Sequence, residues 1–336
     1  AGGRPAEGEG AWGQPRDWDA VAMRCRPHAA RLRLPSLNSS DVVFTARCRR
    51  VFSNAHAYHI NSISTCSDSD TFISADDLRI NLWNYDVTDT SFNVVDMKPS
   101  NMEDLTEVIT SADFHPQHCN VFVYSSSKGS LRLVDMRDAA LCEASCRTFE
   151  EPEPVGNRSF FSEIIASVSD AKFTRDGRYL VSRNYMTVKV WDVAMERAPV
   201  ASFPVHEHLR SKLCDLYEND SIFDKFEVCA SGDGVRIATG SYNNSYRIFS
   251  TRAGEAPETL EATRTPLQRR VPSKPRSPRA LSILRRKTEP DEQEGGLGPG
   301  ASDTKLLRLA WHPTADVVAS ASANSLYLHY AGAPAS

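Results

Sequence analysis

Apolar and polar positions alternate in short runs over residues 51–249, bounded by Gly, Asn, Asp and Ser. Leu78-Arg79-Ile80-Asn81-Leu82-Trp83 and Val188-Lys189-Val190-Trp191 are representative. A period of two places alternate side chains on opposite faces of a half-buried strand, so the region predicts a series of short strands. Helical periodicity is scarce. The best helix candidate is Met102 to Ile109, with Asn101 as its N-cap. The pattern lapses over 250–303 and returns from Lys305.

Three segments can be laid over one another. Ala112 to Pro116, Val121 to Ser125 and Leu131 to Asp135 form one copy. Ala171 to Phe173, a turn at Asp176-Gly177, Tyr179 to Ser182 and Val188 to Asp192 form the second. Ala310 to Pro313, Val317 to Ser320 and Leu326 to Leu328 form the third. Two further copies end at Trp83 and Phe249, so the repeat closes near 83, 134, 191, 249 and 329. Units of ~40–45 residues with loop insertions are the signature of WD-type propeller blades, and Trp191-Asp192 is a true WD dipeptide. The pattern predicts an all-β chain of about five blades, each a small antiparallel sheet that buries its faces against its neighbours. A β-sandwich does not explain the recurring aromatic-turn-strand-strand order.

The flanks differ. Residues 1–49 are rich in Gly, Ala, Pro and Arg and are expected to be disordered, with Val42-Val43-Phe44 as one short strand. The stretch 250–303 holds seven of the 19 prolines and no aromatic residue. Between Ala262 and Thr288 it carries nine basic residues and no acidic one. It is expected to be a long disordered basic loop, with 331–336 as a tail. Ser277-Pro278 and Thr265-Pro266 would accept phosphate there.

Composition changes the picture little. Apolar residues make up 40% and charged residues 24%, and the net charge is −4, so overall charge favours neither nucleic acid nor a membrane as partner. No apolar run approaches the ~20 residues of a membrane span. The chain reads as cytoplasmic, with the nucleus as a second location. Its eight cysteines read as reduced structural thiols. Cys142-x3-Cys146, His115-x2-His118 and His206-x-His208 are isolated pairs, so neither a metal nor a cofactor is expected. No Gly-rich phosphate loop or nucleophile elbow is present, which argues against an enzyme. A basic run without interleaved aromatics reads as a solvated loop or a nuclear-import signal rather than a nucleic-acid surface.

Longer runs carry a resemblance. Phe52-Ser53-Asn54-Ala55-His56-Ala57-Tyr58-His59-Ile60-Asn61-Ser62-Ile63 leads into Ser74 to Trp83, and Leu105-Thr106-Glu107-Val108-Ile109-Thr110 follows. Tyr124 to Gly129, Asn157 to Ile165, Leu209 to Cys214, Phe223 to Glu227 and Thr239 to Asn244 continue the match. Over about Arg50 to Tyr330 the chain closely resembles the WD-repeat regulatory B subunit, 55 kDa class, of protein phosphatase 2A. The resemblance implies a seven-bladed propeller that is not itself an enzyme. Such a subunit joins a scaffold (A) subunit and a catalytic (C) subunit, and it recruits phosphoprotein substrates with short basic helical motifs to its top face. It implies a docking surface of Tyr58, His59, Asp77, Glu103, Leu105 and Val108, with Phe160 and Phe161 beside it.

The residues themselves are compatible with docking. Asp76-Asp77 stands at a turn into a strand, where carboxylates are solvated and face a basic ligand. Leu105 and Val108 flanked by acids form an apolar spot with a negative rim, which suits an amphipathic helix carrying Arg or Lys. The other reading makes Leu105 and Val108 core residues and Asp77 a turn cap.

The departures are as specific as the match. The family's first two blades, its scaffold-gripping hairpin and the strand that closes its last blade have no expected counterpart in residues 1–49. The sequence reads as an alternative-start product or an incomplete gene model. Five blades at roughly 51° each leave a gap of about 103°, with apolar faces at both ends. His329 stands where the pattern expects an aromatic or apolar residue, and Ala230-Ser231-Gly232 is expected to pack loosely. A second function follows from these departures: a form that binds substrates without docking on the scaffold.

Overall fold

The computed structural model describes residues 32–33, 47–142, 146–151, 159–252, 255–263 and 304–331. Five four-stranded antiparallel sheets follow one another along the chain. The first contains β2 (Ser62–Thr65), β3 (Thr71–Ala75), β4 (Arg79–Asn84) and β5 (Val87–Asp96). The second contains β6 (Ile109–Phe114), β7 (Val121–Ser126), β8 (Leu131–Asp135) and β9 (Arg147–Phe149). The third contains β10 (Val168–Phe173), β11 (Tyr179–Asn184), β12 (Thr187–Asp192) and β13 (Ala201–Pro204). The fourth contains β14 (Val228–Ala230), β15 (Arg236–Gly240), β16 (Ser245–Ser250) and β17 (Glu258–Glu261). The last contains β18 (Arg308–Trp311), β19 (Val317–Ser322) and β20 (Ser325–Ala331), with β1 (Leu32–Arg33) paired to β20.

The repeat read from the sequence is the register of these sheets. Trp83 lies opposite Phe72, Val134 opposite Phe122, Trp191 opposite Leu180, Phe249 opposite Ile237 and His329 opposite Val318. These are one position repeated five times. Apolar side chains on facing sheets share cores. Ile73 and Ile80 pack with Phe122 and Tyr124, and Leu131 and Phe149 pack with Leu180 and Trp191. Val181 and Val190 pack with Ile237 and Phe249, and Ala238 and Tyr246 pack with Trp311 and Val318.

Polar latches join the first strands of the first four blades in turn. Ser64 Oγ accepts the Phe114 amide at 3.0 Å, an Asp113 oxygen accepts the Phe173 amide at 3.2 Å, and an Asp170 oxygen accepts the Val228 amide at 3.0 Å. Buried backbone donors need such acceptors, and the latches fix the order of the blades around the axis.

Several sequence expectations are corrected. The helix expected over Met102 to Ile109 is a single 3-10 turn, Met102–Asp104, although Asn101 does cap it. The rest is extended because Val108 pairs through its backbone with Ser127 and Ile109 opens β6. The basic loop does not begin at 250: Leu260 of β17 packs into the core beside buried Ala262, so a fourth strand forms first. Within 1–49, Leu32–Arg33 takes the place of the closing strand that was expected to be missing. The tail begins one residue later, because β20 includes Ala331. Gly232 marks a tight contact, because a Cβ there would strike the Pro313 carbonyl. Val42-Val43-Phe44, Thr265, Ser277 and the basic run lie outside the described residues.

Candidate functional site

In an antiparallel four-stranded blade, the turns between strands one and two and between strands three and four share one end. The turn between strands two and three shares the other end with the connection to the next blade. All eight candidate docking residues stand at this second end. Asp77 is in the β3–β4 turn, and Tyr58 and His59 precede β2. Glu103, Leu105 and Val108 connect β5 to β6. Phe160 and Phe161 open α1 (Phe160–Ala166), between β9 and β10.

The Asp76-Asp77 pair divides its roles. Asp76 is buried and is not a solvated docking carboxylate. One oxygen accepts the Leu78 and Arg79 amides at 2.8 and 2.7 Å, and the other meets the His56 ring at 2.8 Å. His56 also meets Ser74, whose hydroxyl accepts the Trp83 indole N–H at 2.8 Å. This chain of bonds fixes the turn. Asp77 is half-buried, and no cation among the described residues pairs with its carboxylate. Its carbonyl accepts the Ile109 amide at 2.8 Å, which seats it beside Val108.

Asp77 and His59 line one cavity of about 460 Å³ over the ends of the first strands, together with Lys172, Lys225 and Glu227. Lys225 is exposed and has no carboxylate partner among the described residues. An acid and a base that are both unpaired among the described residues therefore line the same opening. Glu103 is exposed, and Leu105 and Val108 are half-buried, so neither apolar residue is a sealed core position. Next to them Glu107 is engaged: burial alone would raise its pKa, but bonds to Ser126 and Arg132 outweigh that and hold it below the usual range. Glu107 supports the β7–β8 turn, while Asp77, Glu103 and Asp104 have no cation partner among the described residues.

Phe160 is 67% exposed, and Phe161 is half-buried against Leu213, Leu216 and their neighbours. The rings lie 5.3 Å apart, and Phe160 lies 5.4 Å from Tyr217 of α2 (Leu213–Glu218). Tyr217 in turn lies 5.9 Å from Phe223, itself 53% exposed. Sequence reading missed Tyr217, Phe223 and Lys225 as surface residues. Two aromatics in a non-strand connection between blades were the available signal. Tyr58 stands apart from this patch, in a groove with Phe52, Ile60 and Trp83 that His59 also borders.

The arrangement offers apolar and aromatic area with a charged rim. Among the described residues no cluster of His, Cys, Asp or Glu is disposed to hold a metal ion.

Residues 46–84 match the family model "WD domain, G-beta repeat". The chain is 58% identical over 306 residues to the beta isoform of the 55 kDa regulatory B subunit of serine/threonine protein phosphatase 2A from Arabidopsis thaliana, covering 89% of this chain and 61% of that protein. It is 59% identical over 310 residues to the corresponding beta isoform of Oryza sativa subsp. indica, covering 89% and 58%. It is 52% identical over 327 residues to the phosphatase 2A regulatory subunit sur-6 of Caenorhabditis elegans, covering 96% and 65%. The chain thus spans about three-fifths of the length of these relatives.

Proposed function

From the premise that this chain belongs to the family of 55 kDa regulatory B subunits of protein phosphatase 2A, we propose that it is a non-catalytic, substrate-recruiting subunit of that phosphatase. It joins the scaffold and catalytic subunits and acts in the cytoplasm and nucleus. It presents phosphoproteins whose docking segments are short helices bearing Arg or Lys. The observation that carries this reading is the Asp77 carboxylate, which has no cation partner among the described residues and sits beside half-buried Val108. A basic side chain on one turn of a ligand helix would meet Asp77 while its apolar side covers Leu105 and Val108. Phe160 and Phe161 extend the apolar platform. The alternative, substrate binding without assembly, is not favoured, because the relatives share the name of regulatory subunit.

The test is a fluorescence titration of an amphipathic helical peptide, carrying Arg on its polar side, against the full chain. Asp77→Lys and Leu105→Glu should each weaken binding by about tenfold or more while leaving the thermal unfolding midpoint in place. Undiminished affinity in both variants would overturn the assignment of the site.

A further inference from the structure

Phe223 and Lys225 lie between α2 and β14, outside the repeating blades. The chain leaves α2 through one 3-10 turn, Ser221–Phe223, and Asp224 after it is extended, with φ −62° and ψ 123°. Successive side chains of an extended segment point to opposite sides. Phe223 and Lys225 are exposed, whereas Phe226 is fully buried and the Asp224 carboxylate is turned inward. Whatever holds Asp224 therefore decides which way its two neighbours face.

Three separate elements hold it. The Tyr242 hydroxyl, in the β15–β16 turn, lies 2.9 Å from one Asp224 oxygen and 2.9 Å from the Ser221 carbonyl. Both are acceptors, so the single Tyr242 proton is shared between them. The Tyr185 hydroxyl, 2.9 Å away in the β11–β12 turn, must then donate to the Tyr242 oxygen. The Lys305 ammonium, on the lead into β18, pairs with the same carboxylate at 2.8 Å. Tyr185 and Tyr242 are buried, so their bonds are made away from water, where an unmet hydroxyl is costly. One carboxylate thus gathers the third, fourth and last blades at the end where the docking candidates stand, and its two sequence neighbours project from that point.

We infer, on the docking function proposed above, that Asp224 is a positioning residue for the docking surface. Tyr242 and Lys305 hold its carboxylate inward, and this turns Phe223 and Lys225 outward on one side of the chain as an aromatic ring and a cation. Phe223 joins Tyr217 on the aromatic platform, and Lys225 reaches the cavity that Asp77 lines. Asp224 itself touches no ligand. It acts by fixing the direction of the residues on either side of it, and Tyr242 and Lys305 act through it.

Fluorescence titration of the full chain with an amphipathic helical peptide, carrying Arg and Glu on its polar side, tests this. Phe223→Ser combined with Lys225→Ser removes what Asp224 presents and should weaken binding by about tenfold. Asp224→Ala should weaken it by a similar factor. Adding Asp224→Ala to the Phe223→Ser, Lys225→Ser variant should cost nothing further, because the presented groups are already gone. A residue that only supported the fold would exact its loss again in that background. Tyr242→Phe is the second variant should Asp224→Ala fail to fold: it removes the shared proton, keeps the ring in its core, and should show the same lack of additivity. A para-fluoro label on the Phe223 ring reads the positioning without any peptide. Its fluorine resonance, displaced by the Tyr217 ring 5.9 Å away, should move toward the value of the free amino acid in Asp224→Ala. Unchanged binding in Asp224→Ala, an additive loss or an unmoved resonance would overturn the positioning role while the docking surface stands. Undiminished binding in the Phe223→Ser, Lys225→Ser variant would overturn docking on this side and the positioning role with it.

Discussion

The Asp170 carboxylate accepts the Val228 amide at 3.0 Å and the Ser111 hydroxyl at 2.9 Å, so one side chain ties three consecutive blades together. Lys172 stands 4.0 Å from Asp170 and 3.5 Å from Asp113. Replacing Asp170 by Ala strands a buried amide and removes one of two carboxylates facing a partly buried ammonium. The expected cost is about 3–5 kcal/mol. Urea unfolding checks it, and a loss below about 1 kcal/mol would mean that the latch is incidental.

The Asp-Gly turns between first and second strands offer a matched pair. Gly177 and Gly234 have φ of +71° and +70°, but an added Cβ meets the His115 ring at Gly177 and only the Thr174 side chain, at 3.8 Å, at Gly234. His115 is fixed there, with one ring nitrogen accepting the Gln117 and His118 amides and the other meeting the Gly177 carbonyl. Gly234→Ala should cost the backbone strain alone, about 1–2 kcal/mol. Gly177→Ala should cost about 1–3 kcal/mol more, because a packed ring must move. Equal costs would contradict this packing.

His329 occupies the position of Trp83 and Trp191 in the last blade. Those indoles donate to Ser74 and Ser182, whereas both nitrogens of buried His329 and the Ser320 hydroxyl lack hydrogen-bond partners among the described residues. Burial pushes its pKa from 6.5 down to about 4. Burial, with Arg183 alongside, also holds His206 well below the ordinary range. A depressed imidazole pKa means the unfolded chain binds protons first on acidification. Stability should therefore be flat above about pH 6.5 and fall from there toward pH 4. His329→Phe should raise the unfolding midpoint at neutral pH and make that decline shallower. An unchanged pH slope would show that His329 does not titrate as its burial requires.

Phe160 and Phe223 project to solvent at either side of Tyr217. Changing both to Ser should cost no more than about 0.5 kcal/mol per site, because little buried area is lost. If the platform binds substrate helices, the same double variant should weaken peptide binding by about tenfold in the titration described for Asp77. Unaltered binding would confine docking to the Asp77–Val108 side.

What the sequence made legible follows from what repeats. The third-strand position at Trp83, Val134, Trp191, Phe249 and His329 could be counted along the chain because every blade must fill it. The connections between blades do not repeat, so Tyr217, Phe223 and Lys225 carried no periodic signal. Asp76 and Asp77 are alike in sequence and opposite in role, and it is the bonds of Asp76 to the Leu78 and Arg79 amides and to His56 that separate them. Glu258–Glu261 was hidden because a four-residue edge strand with one inward Leu260 resembles the start of a polar loop. Gly232 misled in the other direction, because a small residue reads as slack packing where it permits the close approach of Pro313.

We propose that this chain recruits substrates for a phosphatase by assembling with its scaffold and catalytic subunits. The most direct test is co-purification of the tagged full chain with both subunits from lysate, with a longer relative of the same family run alongside. Recovery of both subunits in stoichiometric amounts is the predicted result. Recovery of neither, while the longer relative brings down both, would contradict the claim.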